Sequence, residues 1–302
     1  MGNINKVFWL INIAVLLFGL YSCTNIQTIN KDKENNKVEN PADSSGLTFK
    51  NKESVFFLLP SPGELLERFY SSEIQYNPGL LNSANNKDKY IGSKAQSLNL
   101  GVYITDMAYT ALFEKPAETA RYLETIQSLS NETGISSTIF ESLLVRSKAN
   151  AGKMDSLITI SNEAFSNMIE FLEAGGKENT IALISTGAYI ETLFIALQSV
   201  NKFSEGDKIL DFIVELKYPV DNLLEKAKSI TTSENDSTLF NYCNQISIIF
   251  NELETKSSKT MISQIQTGKI SVSGGDKLRI SEREFNKLKF TIKEIRKSMI
   301  GY

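Results

Sequence analysis

Apolar residues recur at helical spacing along most of the chain, and in two stretches they surround the whole predicted helix. The predicted helices over residues 83–114 and 177–201 carry apolar side chains around most of their circumference, and a helix that is apolar on all sides is a buried one. Each remaining segment shows a single apolar stripe, typical of helices that cover a core. Short connections favour antiparallel neighbours. The pattern predicts an all-α domain, a compact array of antiparallel and orthogonal helices with two buried central helices.

Capping and breaking residues divide this pattern into eight or nine helices. Ser61 can cap a helix that has Pro62 at its first position, and Glu64 completes a capping box. Pro219 removes one backbone donor, so we expect a bend within residues 207–230. The predicted helices span residues 61–70, 83–114, 116–133, 136–151, 155–174, 177–201, 207–230, 236–258 and 281–299.

The period changes from helical to alternating near the end of the sequence. Residues 270–280 alternate apolar and polar positions around Gly274-Gly275, a pattern typical of a hairpin with a two-residue turn. A small β-hairpin is therefore expected near the C-terminus. The paired helices also suggest a helical repeat, but no period of about 34 residues carries the tetratricopeptide spacing. A degenerate helical solenoid stays open as the alternative architecture.

The start of the chain has the three zones of a secretory signal. A short polar segment with Lys6 precedes an apolar run over residues 7–20. This run fits a signal-peptide core and is too short for a comfortable membrane span, which needs about 20 apolar residues. The closing Leu20-Tyr21-Ser22-Cys23 resembles the lipobox of bacterial lipoproteins. The resemblance implies that residues 1–22 are a lipoprotein signal peptide and that Cys23 is lipidated. The alternative is an ordinary signal peptide with an incidental cysteine.

A flexible tether is expected after the anchor. Residues 23–52 are rich in Asn, Lys, Asp, Glu and Ser, and such a composition cannot bury enough surface to offset its ordering entropy. The helical domain then occupies residues 53–302. Thr24 stands where an aspartate holds bacterial lipoproteins at the inner membrane, so the resemblance implies the outer membrane, with its periplasmic and surface faces both left open.

Composition argues against several classes of function. The chain has no histidine, which removes the commonest general base and metal ligand. Loss of residues 1–22 removes Lys6 and no acidic residue, so the net charge changes from −3 to −4, which leaves no basic excess for nucleic acid. We expect no metal, no cofactor and no nucleic-acid partner. With Cys23 acylated, Cys243 has no disulfide partner and is expected to be a small buried residue.

The best candidates for a site are two acids inside the helices that are apolar on all sides. Asp106 and Glu191 are placed there by the pattern, and buried charges are rare without a partner. Candidate partners are the cation of Arg146 and the hydroxyl groups of Tyr103, Tyr109 and Tyr189. The set forms either a ligand pocket or a structural buried polar cluster, and the second is favoured because structural ion pairs also occupy such positions. No catalytic residue is assigned.

Two stretches, Pro60–Leu66 and Ser97–Tyr109, resemble an uncharacterised family of all-helical Bacteroidetes lipoproteins. The similarity runs over most of the domain, from about Leu59 onward. It implies an all-helical fold and a lipid anchor. The family lends no activity and no catalytic residues.

Three functions fit these observations. The first is a non-enzymatic envelope module that is attached to the membrane by its lipid and binds a protein or a small molecule. The second is a structural or accessory subunit of an outer-membrane assembly, which predicts an exposed apolar patch. The third is a carboxylate-dependent hydrolase, which predicts a solvent-open cleft with facing acids. It is the least favoured, because the chain has no histidine and no catalytic motif.

Overall fold

A computed structural model describes residues 61–70, 74–150, 153–230, 237–266 and 269–301. Within these residues the domain is all-α, with ten α-helices and one two-stranded antiparallel sheet. The hydrophobic pattern is thus confirmed in fold class, in compact helix packing and in its two central helices. The predicted signal peptide, Cys23 and the tether lie outside the described residues.

The helices follow one another with short connections, apart from the longer segment between the first two and the two-stranded sheet between the last two. They are α1 (Pro62–Tyr70), α2 (Ser93–Leu112), α3 (Pro116–Glu132), α4 (Thr138–Ala149), α5 (Met154–Ala174), α6 (Glu178–Ser199), α7 (Lys208–Glu215), α8 (Lys217–Ile230), α9 (Thr238–Asn251) and α10 (Glu282–Ile300). The capping box predicted at Ser61 is formed, since Ser61 and Glu64 exchange side-chain-to-backbone hydrogen bonds.

The central helices α2 and α6 pack closely against each other, and most residues of both are buried. Two glycines permit this approach. A Cβ atom on Gly187 would lie 1.9 Å from the carbonyl oxygen of Leu98, and one on Gly101 would lie 2.0 Å from the carbonyl oxygen of Ile184. Because these neighbours are backbone atoms, only glycine fits at the crossing.

The start of α2 differs from the sequence prediction. We predicted helix from Ser83, but α2 begins at Ser93, and the preceding residues form 3₁₀ turns at Pro78–Leu80 and Ala84–Lys89. Gly92 lies between, with a φ of +86° that L-residues rarely adopt. Gly92 therefore supplies the backbone conformation that precedes α2, and the segment before it packs over the central helices.

The segment with Pro219 contains two helices rather than one bent helix. Helix α7 ends at Glu215 and α8 begins at Lys217. Pro219 then falls in the first turn of α8, where its missing N–H has no helical acceptor to lose. The proline is therefore accommodated at a helix start.

The hairpin is longer than predicted, and its turn lies elsewhere. Strand β1 (Glu254–Gln266) pairs antiparallel with β2 (Lys269–Arg279). Gly275 pairs with Ser258 inside this ladder, so the prediction of a turn at Gly274-Gly275 is wrong. The predicted helix over 236–258 is wrong beyond Asn251, where α9 ends. The ladder aligns Ile262 with Val272, a pairing that a turn at the two glycines would prevent.

Two large apolar clusters share the central helices. One contains residues from each helix between α2 and α6. The other contains residues from α1, α2 and each helix between α6 and α10. In the part of the chain that the structure describes, α6 is long and apolar enough to cross a membrane, but 83% of its apolar window is buried inside the domain. Its hydropathy is that of a core helix.

Candidate functional site

Asp106 on α2 and Glu191 on α6 lie next to each other at the centre of the domain. Neither side chain has exposed surface, and the charge of Glu191 acts on the carboxyl group of Asp106. The contact follows from the close α2–α6 crossing, because each acid lies within a helix that is buried on nearly all sides. The sequence prediction that both acids are buried is confirmed.

Arg296 of α10 is the cation that pairs with these acids. Its Nε donates to Glu191 Oε2 at 2.5 Å and its Nη2 to Glu191 Oε1 at 2.7 Å, the two-pronged geometry that arginine makes with carboxylates. The guanidinium also lies over the ring of Phe194, 4.0 Å from the centroid. Glu191 and Arg296 thus form a buried ion pair.

Asp106 binds its proton more tightly than an ordinary carboxyl group does, because it is buried beside this pair. Burial raises the pKa of Asp106 well above its ordinary value, and the charge of Glu191 raises it further, while Arg296 opposes the shift. Asp106 Oδ1 accepts no hydrogen bond from any donor in the described residues, although the carboxyl groups of Asp106 and Glu191 are in hydrogen-bonding contact. A protonated Asp106 that donates to the Glu191 carboxylate explains both observations. The cluster then carries one negative and one positive charge.

The cluster also holds the connection between α1 and α2, described from residue 74 to 92. Asp106 Oδ2 accepts from the backbone N–H of Asn82 at 3.1 Å, and Arg296 Nη2 donates to the carbonyl of Leu80 at 2.9 Å. Tyr122 of α3 donates to the carbonyl of Asn82 at 3.0 Å. An irregular segment that covers a core must have its buried backbone groups paired, and these side chains pair them.

The predicted tyrosines divide between this connection and another part of the core. Tyr103 donates to the carbonyl of Ser83 at 2.9 Å, and the hydroxyl of Tyr109 accepts from the backbone N–H of Asn77 at 3.0 Å. Tyr189 instead donates to the carbonyl of Leu216, at the end of α7. Burial raises the pKa of all three phenols, so they remain neutral donors and acceptors.

The prediction of Arg146 as the partner of the buried acids is wrong. Arg146 lies on the exposed surface of α4 and forms an ion pair with Glu163 of α5. Helix α4 packs mainly against α3 and α5, and Arg146 lies on the exposed face of this helix. The partner comes instead from α10, the last helix that the structure describes.

The sequence contains a signal that places Arg296 in the core. Ile292, Arg296 and Ile300 recur every four residues, so the arginine falls on the buried stripe of α10. Asn82 had no comparable signal, because its role depends on the path of an irregular segment.

The geometry of this cluster is closed, with a buried ion pair at its centre. Both acids lack exposed surface, and Glu191 forms an ion pair with Arg296. A hydrolase would need its acids open to substrate and water. Of the two predicted alternatives, pocket or buried polar cluster, the burial of both acids and the pairing of Glu191 favour the cluster.

A solvent-accessible groove of about 520 Å³ lies elsewhere, between α7 and the base of the hairpin. Apolar side chains from Leu210, Val214, Leu278 and Ile280 line it. Around them lie charged side chains from both sides, together with the start of α10. The charged lining residues are Glu205, Asp211, Glu254, Lys277, Arg279 and Glu284.

Glu284 has a structural role in this groove, whereas the other five charges do not. Glu284 accepts hydrogen bonds from the hydroxyl and the backbone N–H of Ser281 in a capping box, and these bonds lower its pKa. In the described part of the chain, no salt bridge or side-chain hydrogen bond joins the other five charged groups to a partner. A groove with apolar lining and free polar groups is the usual form of a small-ligand site.

Neither a reactive thiol nor a metal-binding cluster is found among the described residues. Cys243 is buried, and burial raises its pKa to about 12, so its thiol stays protonated and matches the expected small buried residue. Among the residues that the structure describes, no cluster of three or more His, Cys, Asp or Glu could hold a metal ion.

No family model matches the chain, and no curated protein and no solved structure is significantly similar to it. The function proposed below therefore rests on the chain's own residues.

Proposed function

We propose that this protein is a lipid-anchored binding module of the bacterial envelope, at the outer membrane, with no enzymatic activity. Cys23 is the anchor, residues 23–52 are the tether, and the helical domain captures a ligand in the groove between α7 and the hairpin. The lipobox-like Leu20–Cys23 and the polar composition of the tether support the anchored arrangement.

The observation that carries the binding role is that charged side chains around the groove have no partner among the described residues. Most surface charges cost little to leave in water, but here five of them border one concave site with an apolar lining. By contrast, the acids that sequence reasoning selected are closed and paired. The groove, rather than the buried cluster, is therefore the part of the domain that is free to bind.

A groove-filling substitution tests this role. Thr255 is an exposed residue of the lining, so Thr255→Trp should occupy the groove without disturbing the core. We expect that, in a thermal-shift screen of amino acids, peptides, sugars, nucleotides and lipid headgroups, at least one class raises the Tm of the wild type and not of the variant. Thr159→Trp, at an exposed site on α5, is the matched control. If no class distinguishes the wild type from Thr255→Trp, the binding role is wrong.

Metabolic labelling with radioactive palmitate tests the anchor. The wild-type chain should incorporate label and fractionate with the outer membrane, whereas Cys23→Ala should do neither. Cys243→Ala is the control, because that thiol is buried and cannot receive the lipid. Equal labelling of wild type and Cys23→Ala would contradict the proposal.

One observation favours the second candidate, an accessory subunit of an outer-membrane assembly. Tyr218, Ile248 and Phe290 are 64%, 50% and 67% exposed on the three neighbouring helices α8, α9 and α10. Side-chain bonds fix the register of these antiparallel helices and bring the three residues to the same level. The bonds join Lys217 to Asn251, Ser247 to Asp221, Tyr242 to Ser298 and Lys287 to Glu252.

Photo-crosslinking separates this candidate from the first. An accessory subunit should crosslink to an outer-membrane protein from a photoreactive residue at position 290, and not from one at position 171, which lies on the separate helix α5. If neither position yields a product while the groove binds ligand, the accessory role is excluded.

A further inference from the structure

The charges of the groove are segregated by wall. The α7 wall, with the loop before it, presents Glu205 and Asp211, two negative charges. The hairpin wall presents Lys277 and Arg279 together with Glu254, a net charge of one positive. The Cα partner of Arg279 in the ladder is Glu254, so the acid on this wall is the neighbour of one of its cations. Glu284, at the start of α10, adds a further negative charge to the lining, so the α7 wall carries acids alone and both cations of the groove lie on the hairpin wall.

These charges are available to a ligand. Each of the five side chains is exposed, and none has an ion-pair partner within the residues described. Between the two walls lie Leu210, Val214 and Ile280, which are largely buried and form an apolar floor. A complementary ligand carries a cation at one end, an anion at the other and an apolar group between them.

We infer that the groove binds a small zwitterion, an amino acid or short peptide with an apolar side chain, whose ammonium group faces Glu205 and Asp211 and whose carboxylate faces Lys277 and Arg279. This inference rests on the binding role proposed above and adds the ligand class. Complementary charges set orientation and exclude competitors more than they add affinity, so the inference predicts selectivity for free termini.

The size of the groove agrees with this class. Its volume of about 520 Å³ lies within the ~300–1,000 Å³ of small-molecule sites. A single amino acid or a dipeptide fits such a volume. A folded protein partner would need a contact of about 800 Å² on each side, which is more than this groove offers.

Calorimetric titration of the full chain in detergent tests the inference with defined probes. The probes are leucine, dileucine, N-acetyl-dileucine and dileucine amide, of which the last two each lack one terminal charge. We expect dileucine to bind, and each blocked peptide to bind about fivefold to tenfold more weakly, as for loss of one charge-assisted hydrogen bond at an exposed site. Comparison of leucine with dileucine shows whether the ligand is an amino acid or a peptide.

Two substitutions assign each end of the ligand to a wall. Asp211→Asn should weaken dileucine binding and abolish the discrimination against the N-acetyl peptide, while it retains that against the amide. Arg279→Gln should do the reverse. Glu225→Gln on α8 and Arg121→Gln on α3 change exposed charges away from the groove and should leave all affinities unchanged.

The outcomes distinguish the zwitterion inference from the more general proposal that the groove binds a ligand. If free and blocked peptides bind equally, or if none binds, the zwitterion inference is overturned. The binding role survives that result when another class of compound stabilises the wild type and not Thr255→Trp. If no compound distinguishes the wild type from Thr255→Trp, the zwitterion inference and the binding role are both wrong.

Discussion

A single proton on Asp106 links the stability of this domain to pH. The folded chain holds that proton above the ordinary carboxyl pKa of 3.8, and the unfolded chain does not. The folded state therefore binds more protons between 3.8 and the raised pKa, so the free energy of unfolding falls as the pH rises through that window. At low pH the contribution of Asp106 is fully present.

Removal of the titrating group should remove this slope. Asp106→Asn keeps the shape of the protonated acid and a donor toward Glu191, so we expect stability close to that of the wild type at pH 5 and equal or greater stability at pH 8. Urea unfolding across this range measures the difference between the two chains. The exposed Asp88→Asn is the control and should follow the wild type. A parallel pH dependence of wild type and Asp106→Asn would show that Asp106 is ionised in the fold.

Loss of the buried cation should be costly, and loss of the whole pair should not. Arg296→Met leaves Glu191 buried without its partner, which typically costs about 3–5 kcal/mol. Adding Glu191→Gln removes the stranded charge, so the double variant should regain most of that loss. Denaturant unfolding of the two single variants and the double variant gives the coupling energy. Simple additivity of the two single effects would contradict a direct ion pair.

At the scale of elements, the domain depends on how closely α2 and α6 approach. The two glycines at the crossing bring one helix backbone against the other, and this approach places Asp106 beside Glu191. Propensity alone would disfavour both glycines, since each weakens a helix by about 1 kcal/mol relative to alanine. Packing between the helices therefore outweighs local preference here.

A pair of alanine substitutions separates backbone crowding from side-chain crowding. Gly187→Ala would place a Cβ 1.9 Å from a backbone oxygen, whereas Gly63→Ala would place one 2.0 Å from the side-chain oxygen of Asn162, which can rotate away. We expect a loss of about 1–3 kcal/mol or more for Gly187→Ala and a clearly smaller loss for Gly63→Ala. Thermal unfolding checks the order, and equal losses would mean that the helices separate without cost.

The elements that the sequence predicts well are those in which the capping residues and the hydrophobic pattern indicate the same structure. Helix α10 combines a capping box with an apolar stripe, and the central helices are recognisable by their lack of a polar face. The hairpin was misplaced because Gly274-Gly275 satisfies a local turn pattern, while the true register depends on β1. The first residues of β1 are polar and do not alternate, so no local pattern separates them from the end of α9.

At the scale of the whole molecule, the contacts that complete the core join distant parts of the chain. Arg296 bonds Glu191 across 105 positions and Leu80 across 216. Sequence reasoning found both acids because each disrupts a local pattern, but their cation could be assigned only from the tertiary arrangement. Arg146 was a candidate cation on a predicted neighbouring helix, but the packing of α10 against α6 brings Arg296 to Glu191.

Hydrogen exchange should reflect this organisation. Helices α2 and α6 contribute to both large apolar clusters, so we expect their backbone amides to exchange only by global unfolding. Helix α4 has few buried residues, so we expect its amides to exchange by local opening. Mass spectrometry of peptides from the two regions measures the difference. Equal protection of α4 and α6 would contradict a layered core.

The position of Arg296 has a consequence for biosynthesis. A ribosome makes Glu191 long before the arginine that neutralises it, so a nascent chain that already contains α2 and α6 holds an uncompensated acid between two very apolar helices. Such a chain cannot complete its core while it grows, and folding through contacts so far apart in sequence is slow. The core around Asp106 and Glu191 therefore closes only after α10 has been made.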